Sequence, residues 1–213
     1  MSTSRARRDG IQATVGVVVE GDSEYAAFPR MHRAWAGCPP VKTVNLGGLG
    51  AHMTAAAIAK KVTPKIIQLY LSIKNKVVVC IDREQRSDCV VTLAKAVHAE
   101  IDKELITKNR ADIPYAVVLS DRAFEAWILA GARSLHAAKR LKHAPAFACF
   151  EGQLGKQDKK GVIEIEDLLG RAYSKTRDGP ELFLAMDRTQ ARTFGPGLPG
   201  SQSFDKFLRE LGT

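Results

Sequence analysis

Three mainly aliphatic runs, at residues 15–19, 77–81 and 115–119, divide this chain, and none of them alternates with charged or amide residues. Absence of alternation is the pattern of strands covered on both faces in a parallel sheet. Between these runs the apolar positions recur every three or four residues, the period of helices. The first such stretch sets Tyr25, Phe28, His32 and Trp35 on one face, with Asp22 or Ser23 as cap, Pro29 as a bend, and Gly37 with Pro39-Pro40 as its end. Residues 41–46 read as a further short strand. A long Ala-rich helix is expected over 53–73, interrupted at Pro64, and another after Asp88 with Val90, Leu93, Val97, Ile101 and Leu105 buried. Strands alternating with helices predict an α/β fold: a mainly parallel sheet of about four strands, right-handed crossovers, and helices on both faces.

Beyond the third run, Asp121 is placed to cap a helix carrying Phe124-Glu125-Ala126-Trp127. A helix over 163–172, one entered near Pro180 after Asp178, a loop at 195–200 and a final helix capped by Ser203 complete the pattern. The expected organisation is an α/β core over 1–130 with a mobile N-terminal tail, and a basic, mostly helical extension over 131–213 packed on it.

Composition narrows the function classes. With 32 Lys and Arg against 23 Asp and Glu, the net charge of +9 favours encounter with a polyanion, nucleic acid first. The cations concentrate at Arg133, Lys139, Arg140, Lys142, Lys159 and Lys160, which with Arg83 form the candidate phosphate-contacting set. Cys38, Cys80, Cys89 and Cys149 are scattered without a C-x-x-C pair, which argues against zinc and for reduced thiols in a cytoplasmic protein. No apolar stretch approaches the ~20 residues of a membrane span, and no apolar segment follows the basic N-terminus as in a signal peptide.

The chemistry lies where two aliphatic runs stop. Glu20 ends the first and Asp82-Arg83-Glu84 ends the second, at the sheet edge where α/β proteins bind ligands. Carboxylates gathered there repel one another unless a cation offsets them, and hard oxygen donors without histidine suit Mg²⁺ or Mn²⁺. Acids after strands also serve as helix caps, which accounts for Asp22, Asp88 and Asp121 but poorly for Glu20, followed as it is by a glycine. The LGGLG turn at 46–50 matches neither a P-loop nor G-x-G-x-x-G, and reads as an ordinary strand-to-helix turn.

Glu20-Gly21-Asp22-Ser23-Glu24 after one strand, and Asp82-Arg83-Glu84 after another, resemble the two signatures of the Toprim domain of topoisomerases, primases and OLD-type nucleases. Phe124-Glu125-Ala126-Trp127 adds a likeness to small stand-alone Toprim-like proteins of bacterial defence loci, the RloB-like group among them. The resemblance covers about residues 15–130, and more weakly Tyr173-x-Lys175 and Ser203-Phe204. It departs from the family at Glu84, where the usual motif is Asp-x-Asp. It implies a Mg²⁺- or Mn²⁺-dependent nuclease, acting on DNA or RNA, as the effector half of a defence module with a separate ATPase subunit. In that reading Glu20 is general base or ligand, Asp82, Glu84 and Glu125 are ligands, Lys175 is a candidate for stabilising transition-state charge, and Asp22 and Glu24 are secondary acids. A non-catalytic module that binds nucleic acid or an ATPase on a degenerate Toprim fold is the alternative.

Overall fold

The computed structural model describes residues 13–146, 150–153 and 155–213. The expected tail at 1–10 and Cys149 lie outside the described residues. Four strands, β1 (Val15–Val19), β2 (Val41–Asn45), β3 (Val77–Asp82) and β4 (Tyr115–Ser120), form one parallel sheet in the order β2-β1-β3-β4. The fold is α/β and Rossmann-like, as the pattern predicts.

The reason for the unbroken aliphatic runs is visible in how side chains sort by parity. Val15, Val17, Val19, Val78, Cys80 and Val118 join one buried cluster, while Val18, Val77, Val79, Ile81, Val117 and Leu119 join a second on the opposite face. The second face is covered by α3 (Ala55–Ile73) and α4 (Val90–Thr107), whose Leu93, Val97, Ile101 and Leu105 point inward as expected. The first face is covered by α1 (Asp22–Ala27), a 3₁₀ turn (Phe28–Arg30), α2 (Met31–Ala34) and the helices after β4. These are α5 (Phe124–Ala130), α6 (Ala132–Ala137), α7 (Val162–Leu169), α8 (Asp178–Ala185), α9 (Arg188–Arg192) and α10 (Gln202–Leu211). A short hairpin, β5 (Phe194–Gly195) with β6 (Leu198–Pro199), occupies the loop at 195–200.

An aromatic cluster joins the two parts of the chain. Phe28 and Trp127 from the first 130 residues pack on Phe207 at ring-centroid distances of 4.8 and 5.1 Å, and Phe124 meets Phe183 at 4.8 Å. All of these rings are buried.

Several local expectations are corrected. The long helix α3 runs through Pro64 unbroken, because the ring sits on the exposed face and the Lys60 carbonyl it leaves without a helical partner belongs to an exposed residue. The bend at Pro29 does form, but it splits the first helical stretch into three pieces and leaves Tyr25 and His32 exposed. Asp22, Ser23, Asp88, Asp121 and Ser203 are not the caps. Gly21, Cys89, Ala123 and Ser201 hold those positions, and of these Ser201 Oγ accepts the Phe204 N–H at 3.0 Å. Helix α7 stops at Leu169, where Gly170 takes φ +66°, and α8 starts at Asp178, two residues ahead of Pro180. Among the described residues, no helix is long and apolar enough to cross a membrane.

Because Trp127 is fully buried among rings from both parts of the chain, truncation to alanine should cost about 3–5 kcal/mol. Urea titration followed by far-UV circular dichroism and by fluorescence should show one coincident transition for the wild type, shifted to lower midpoint in Trp127→Ala. Two separate transitions would mean that the C-terminal helices unfold independently.

Candidate functional site

β1 delivers Glu20 to the carboxyl end of the sheet, and the neighbouring β3 delivers Asp82 beside it. The Glu20 carboxylate is a brace. Its Oε1 accepts the Leu49 N–H at 2.7 Å and its Oε2 accepts the Asp82 N–H at 3.2 Å. The Gly48 N–H also donates to the Glu20 carbonyl at 3.3 Å. The LGGLG turn is therefore more than a connection to α3. With Gly47 and Gly48 at φ +69° and +65°, it curls its backbone donors around Glu20.

Three further groups complete the set. Asp82 Oδ1 accepts the Ser120 hydroxyl from the end of β4. Glu24, in the first turn of α1, and Glu125, in the first turn of α5, both turn inward. Exposure falls to 8% for Glu20, 5% for Glu24 and 2% for Glu125, while Asp82 is partly buried. A Cβ at Gly21 would stand 2.6 Å from Glu24 Oε2, so the glycine keeps space for that carboxylate. Tyr173 donates its hydroxyl to Glu125 Oε1 at 3.4 Å, and Lys175 Nζ lies 3.4 Å from the same oxygen. The Lys175 backbone is tied back to α1, where Ser23 Oγ donates to its carbonyl at 2.9 Å.

Electrostatics follow from enclosure. Burial raises the Glu20 carboxyl, against the two backbone hydrogen bonds that favour its charge. Burial, reinforced by the charges of Glu125 and Glu20, pushes Glu24 up to about 7. Asp82 is held well above the usual carboxylate range by burial, with Glu24, Glu20 and Glu125 adding to the shift and the Ser120 hydrogen bond opposing it. The Tyr173 phenol is likewise raised by burial and by Glu125. Glu24 and Asp82 each sit in the field of Glu20 and Glu125, so their ionisation is linked to that of the neighbouring carboxyls.

The remaining expected residues divide. Glu84, at φ +58°, pairs with Lys160 at 2.5 Å, donates its N–H to the Arg122 carbonyl and accepts at its own carbonyl from Arg122 Nη1, outside the inner four although near enough for its charge to raise Glu20. Asp22 is turned away, accepting from Asn45 Nδ2 at 2.9 Å. Arg83, expected to contact phosphate, is buried instead. Its Nε donates to Asp121 Oδ1 at 2.6 Å and its Nη1 to the carbonyls of Arg86 and Asp88, so its charge is spent inside the protein. Arg133, Lys139, Arg140, Lys142 and Lys159 are exposed, and of the basic set Lys160 reaches the site, through Glu84.

One contributor was not singled out from sequence. Arg86 donates to the Met53 and Gly50 carbonyls at 2.6 and 2.8 Å and so ties the glycine turn to the loop after β3. An arginine two residues past Glu84 carries no distinguishing pattern. Tyr173, named with Lys175 in the weaker likeness, shields Glu125.

The donor set is all oxygen, acidic and without histidine, which fits Mg²⁺ or Mn²⁺. As the side chains stand, no three His, Cys, Asp or Glu groups among the described residues converge on one metal-sized position.

These raised carboxyls destabilise the fold as they ionise. A group whose folded pKa exceeds its unfolded value contributes stability below the unfolded pKa, and that stability is lost as pH rises through the folded value. For Glu24 the window runs from the ordinary 4.5 to about 7. Without divalent cations, the melting temperature should fall between pH 5 and pH 8. Glu24→Gln should flatten this slope and melt roughly 5 °C higher than wild type at pH 8. Scanning calorimetry in chelator at several pH values checks it, and an unchanged slope would contradict the assignment.

The chain matches no protein-family model, no curated protein and no solved structure.

Proposed function

We propose that this protein is a Toprim-type, metal-dependent phosphodiesterase that hydrolyses nucleic acid, DNA or RNA, as the effector of a bacterial defence system with a separate ATPase subunit. The observation that carries this reading is the inward-facing set of Glu20, Glu24, Asp82 and Glu125 at the carboxyl end of a parallel sheet, opposed locally by Lys175. Acidic groups are costly to enclose, and a concentration of them at a ligand-binding edge is a mark of function.

Glu20, Asp82 and Glu125 are the residues that would hold Mg²⁺ or Mn²⁺. A bound ion there would offset charge on the scissile phosphate and lower the pKa of an attacking water. Glu24, poised at about 7, can take up or release a proton at neutral pH, as a general acid or base must. Lys175, more than half exposed at the rim, offers a positive charge to an entering phosphate. The +9 net charge supports attraction of the polyanion as a whole. A cytoplasmic location goes with the free, buried thiols of Cys38 and Cys80.

One observation favours the second reading, a non-catalytic module for nucleic acid or an ATPase. Glu84 is engaged by Lys160 and so withdrawn from the inner carboxylates. The two readings separate in one experiment. Labelled single- and double-stranded DNA and RNA are incubated with purified protein, with Mg²⁺, Mn²⁺ or chelator. Cleavage dependent on the ion is expected, falling at least about 100-fold in Glu20→Gln and in Asp82→Asn while both variants keep their fold. Undiminished cleavage in both variants would overturn the proposal. Metal-independent binding without cleavage would establish the second reading in its place.

A further inference from the structure

Glu84 is held in two different ways. Its backbone, left-handed at φ +58°, is fixed by Arg122, whose carbonyl accepts the Glu84 N–H at 2.9 Å and whose Nη1 donates to the Glu84 carbonyl at 3.0 Å. A residue other than glycine keeps such a conformation where its surroundings impose it. Its carboxylate is held by Lys160 Nζ at 2.5 Å, in an ion pair that joins the loop after β3 to the segment 155–161.

Lys160 is presented by a loop that is equally well fixed. It is left-handed at φ +56°, and a Cβ on the next residue, Gly161, would stand 2.9 Å from Leu129 Cδ1 and 3.2 Å from Phe150 Cε1. The Lys159 carbonyl accepts the Val162 N–H at 2.9 Å, and Glu164 Oε1 accepts the Lys156 N–H at 2.6 Å. Both main chains are therefore set, and the contact between them is made by two side chains, 20% exposed at Glu84 and 26% at Lys160, which a dissolved ion can reach. The pair stands beside the inner acids. The Glu20 carboxyl, raised chiefly by burial, is pushed further by the Glu84 charge and drawn back by Lys160.

Given the metal-dependent nuclease proposed above, on which this rests, we infer that Lys160 couples substrate to metal: a backbone phosphate of the entering strand takes its ammonium, and the released Glu84 carboxylate becomes available to the divalent cation. Charge balances in the exchange. In the free protein Glu84 and Lys160 neutralise each other, and in the complex each meets a new opposite charge. Ion pairs with this much access to solvent are weak enough to be traded. Whichever ligand binds first has to part the pair, and the second finds its group already free. Each therefore tightens the other by the same factor. Lys175 is not equivalent, since it lies 3.4 Å from Glu125 and is more than half exposed.

The test measures Mn²⁺ affinity by titration calorimetry for the full chain as wild type, Lys160→Met, Glu84→Gln and the double variant, with folding checked by circular dichroism. Without nucleic acid, Lys160→Met should bind Mn²⁺ about fivefold tighter than wild type. The double variant should show no such gain over Glu84→Gln. A fluorescent phosphorothioate oligothymidylate, followed by anisotropy, should gain affinity from Mn²⁺ in the wild type, and that gain should shrink about fivefold in Lys160→Met. No tightening in Lys160→Met would overturn the inference. So would equal tightening in the Glu84→Gln background, which is the mark of simple removal of a positive charge. Either result in a wild type that cleaves nucleic acid leaves the nuclease reading standing. The expected cycle in a wild type that binds nucleic acid without cutting it supports the coupling and ends the nuclease reading, and absence of Mn²⁺ binding in all four proteins ends both.

Discussion

Everything in this structure depends on strands at the centre of the sheet, β1 and β3, that are covered on both faces. Val17 and Val18, adjacent in sequence, enter opposite hydrophobic clusters, and both are fully buried. A strand of this kind cannot exist until two layers of helix cover it. Helices α3 and α4 supply one layer from the crossovers themselves. The other needs α1 and the helices after β4, which is why the C-terminal segment contributes Phe183, Phe204 and Phe207 to the same aromatic cluster as Phe28 and Trp127. The layers also decide where polar chemistry can sit. With both faces closed, the strand ends are the place where carboxylates can meet one another, and Glu20, Asp82 and Ser120 all come from them.

The site is then an exercise in holding like charges together. Glu20 is fixed by two backbone donors rather than by a cationic side chain, and Asp82 by a serine hydroxyl. Neither partner removes the mutual repulsion, and burial together with the neighbouring charges displaces Glu24 and Asp82 upward. Rigid backbone on three sides keeps the groups close in spite of it. Arg83 and Arg86 serve this rigidity from beneath, tying the loop after β3 to Asp121 and to the glycine turn.

Much of this was legible in the sequence. Runs that lack alternation announced β1, β3 and β4, and the acids after the first two announced Glu20 and Asp82. What could not be read depends on contacts between distant residues. Glu24 looked secondary because its environment is made by Glu125, Tyr173 and Lys175, about a hundred or more positions away. Asp121 looked like a cap, whereas a buried guanidinium 38 residues earlier claims its carboxylate. Pro64 looked like a break because local rules do not say which side of a helix will face solvent. Glu84 sat correctly in its motif, yet a left-handed backbone and Lys160 take it aside.

The hydrogen bond from Ser23 to the carbonyl of Lys175 has a temporal meaning. It joins residues 152 positions apart, so as the chain leaves the ribosome the acidic groups of the first 125 residues are made long before the lysine that faces them. During that interval the aromatic face of the core also waits for Phe204 and Phe207. A nascent chain thus carries its anionic centre without counter-charge and its apolar layer without cover. Both deficits are closed by the same late-arriving segment, which makes maturation of the centre and completion of the core a single event.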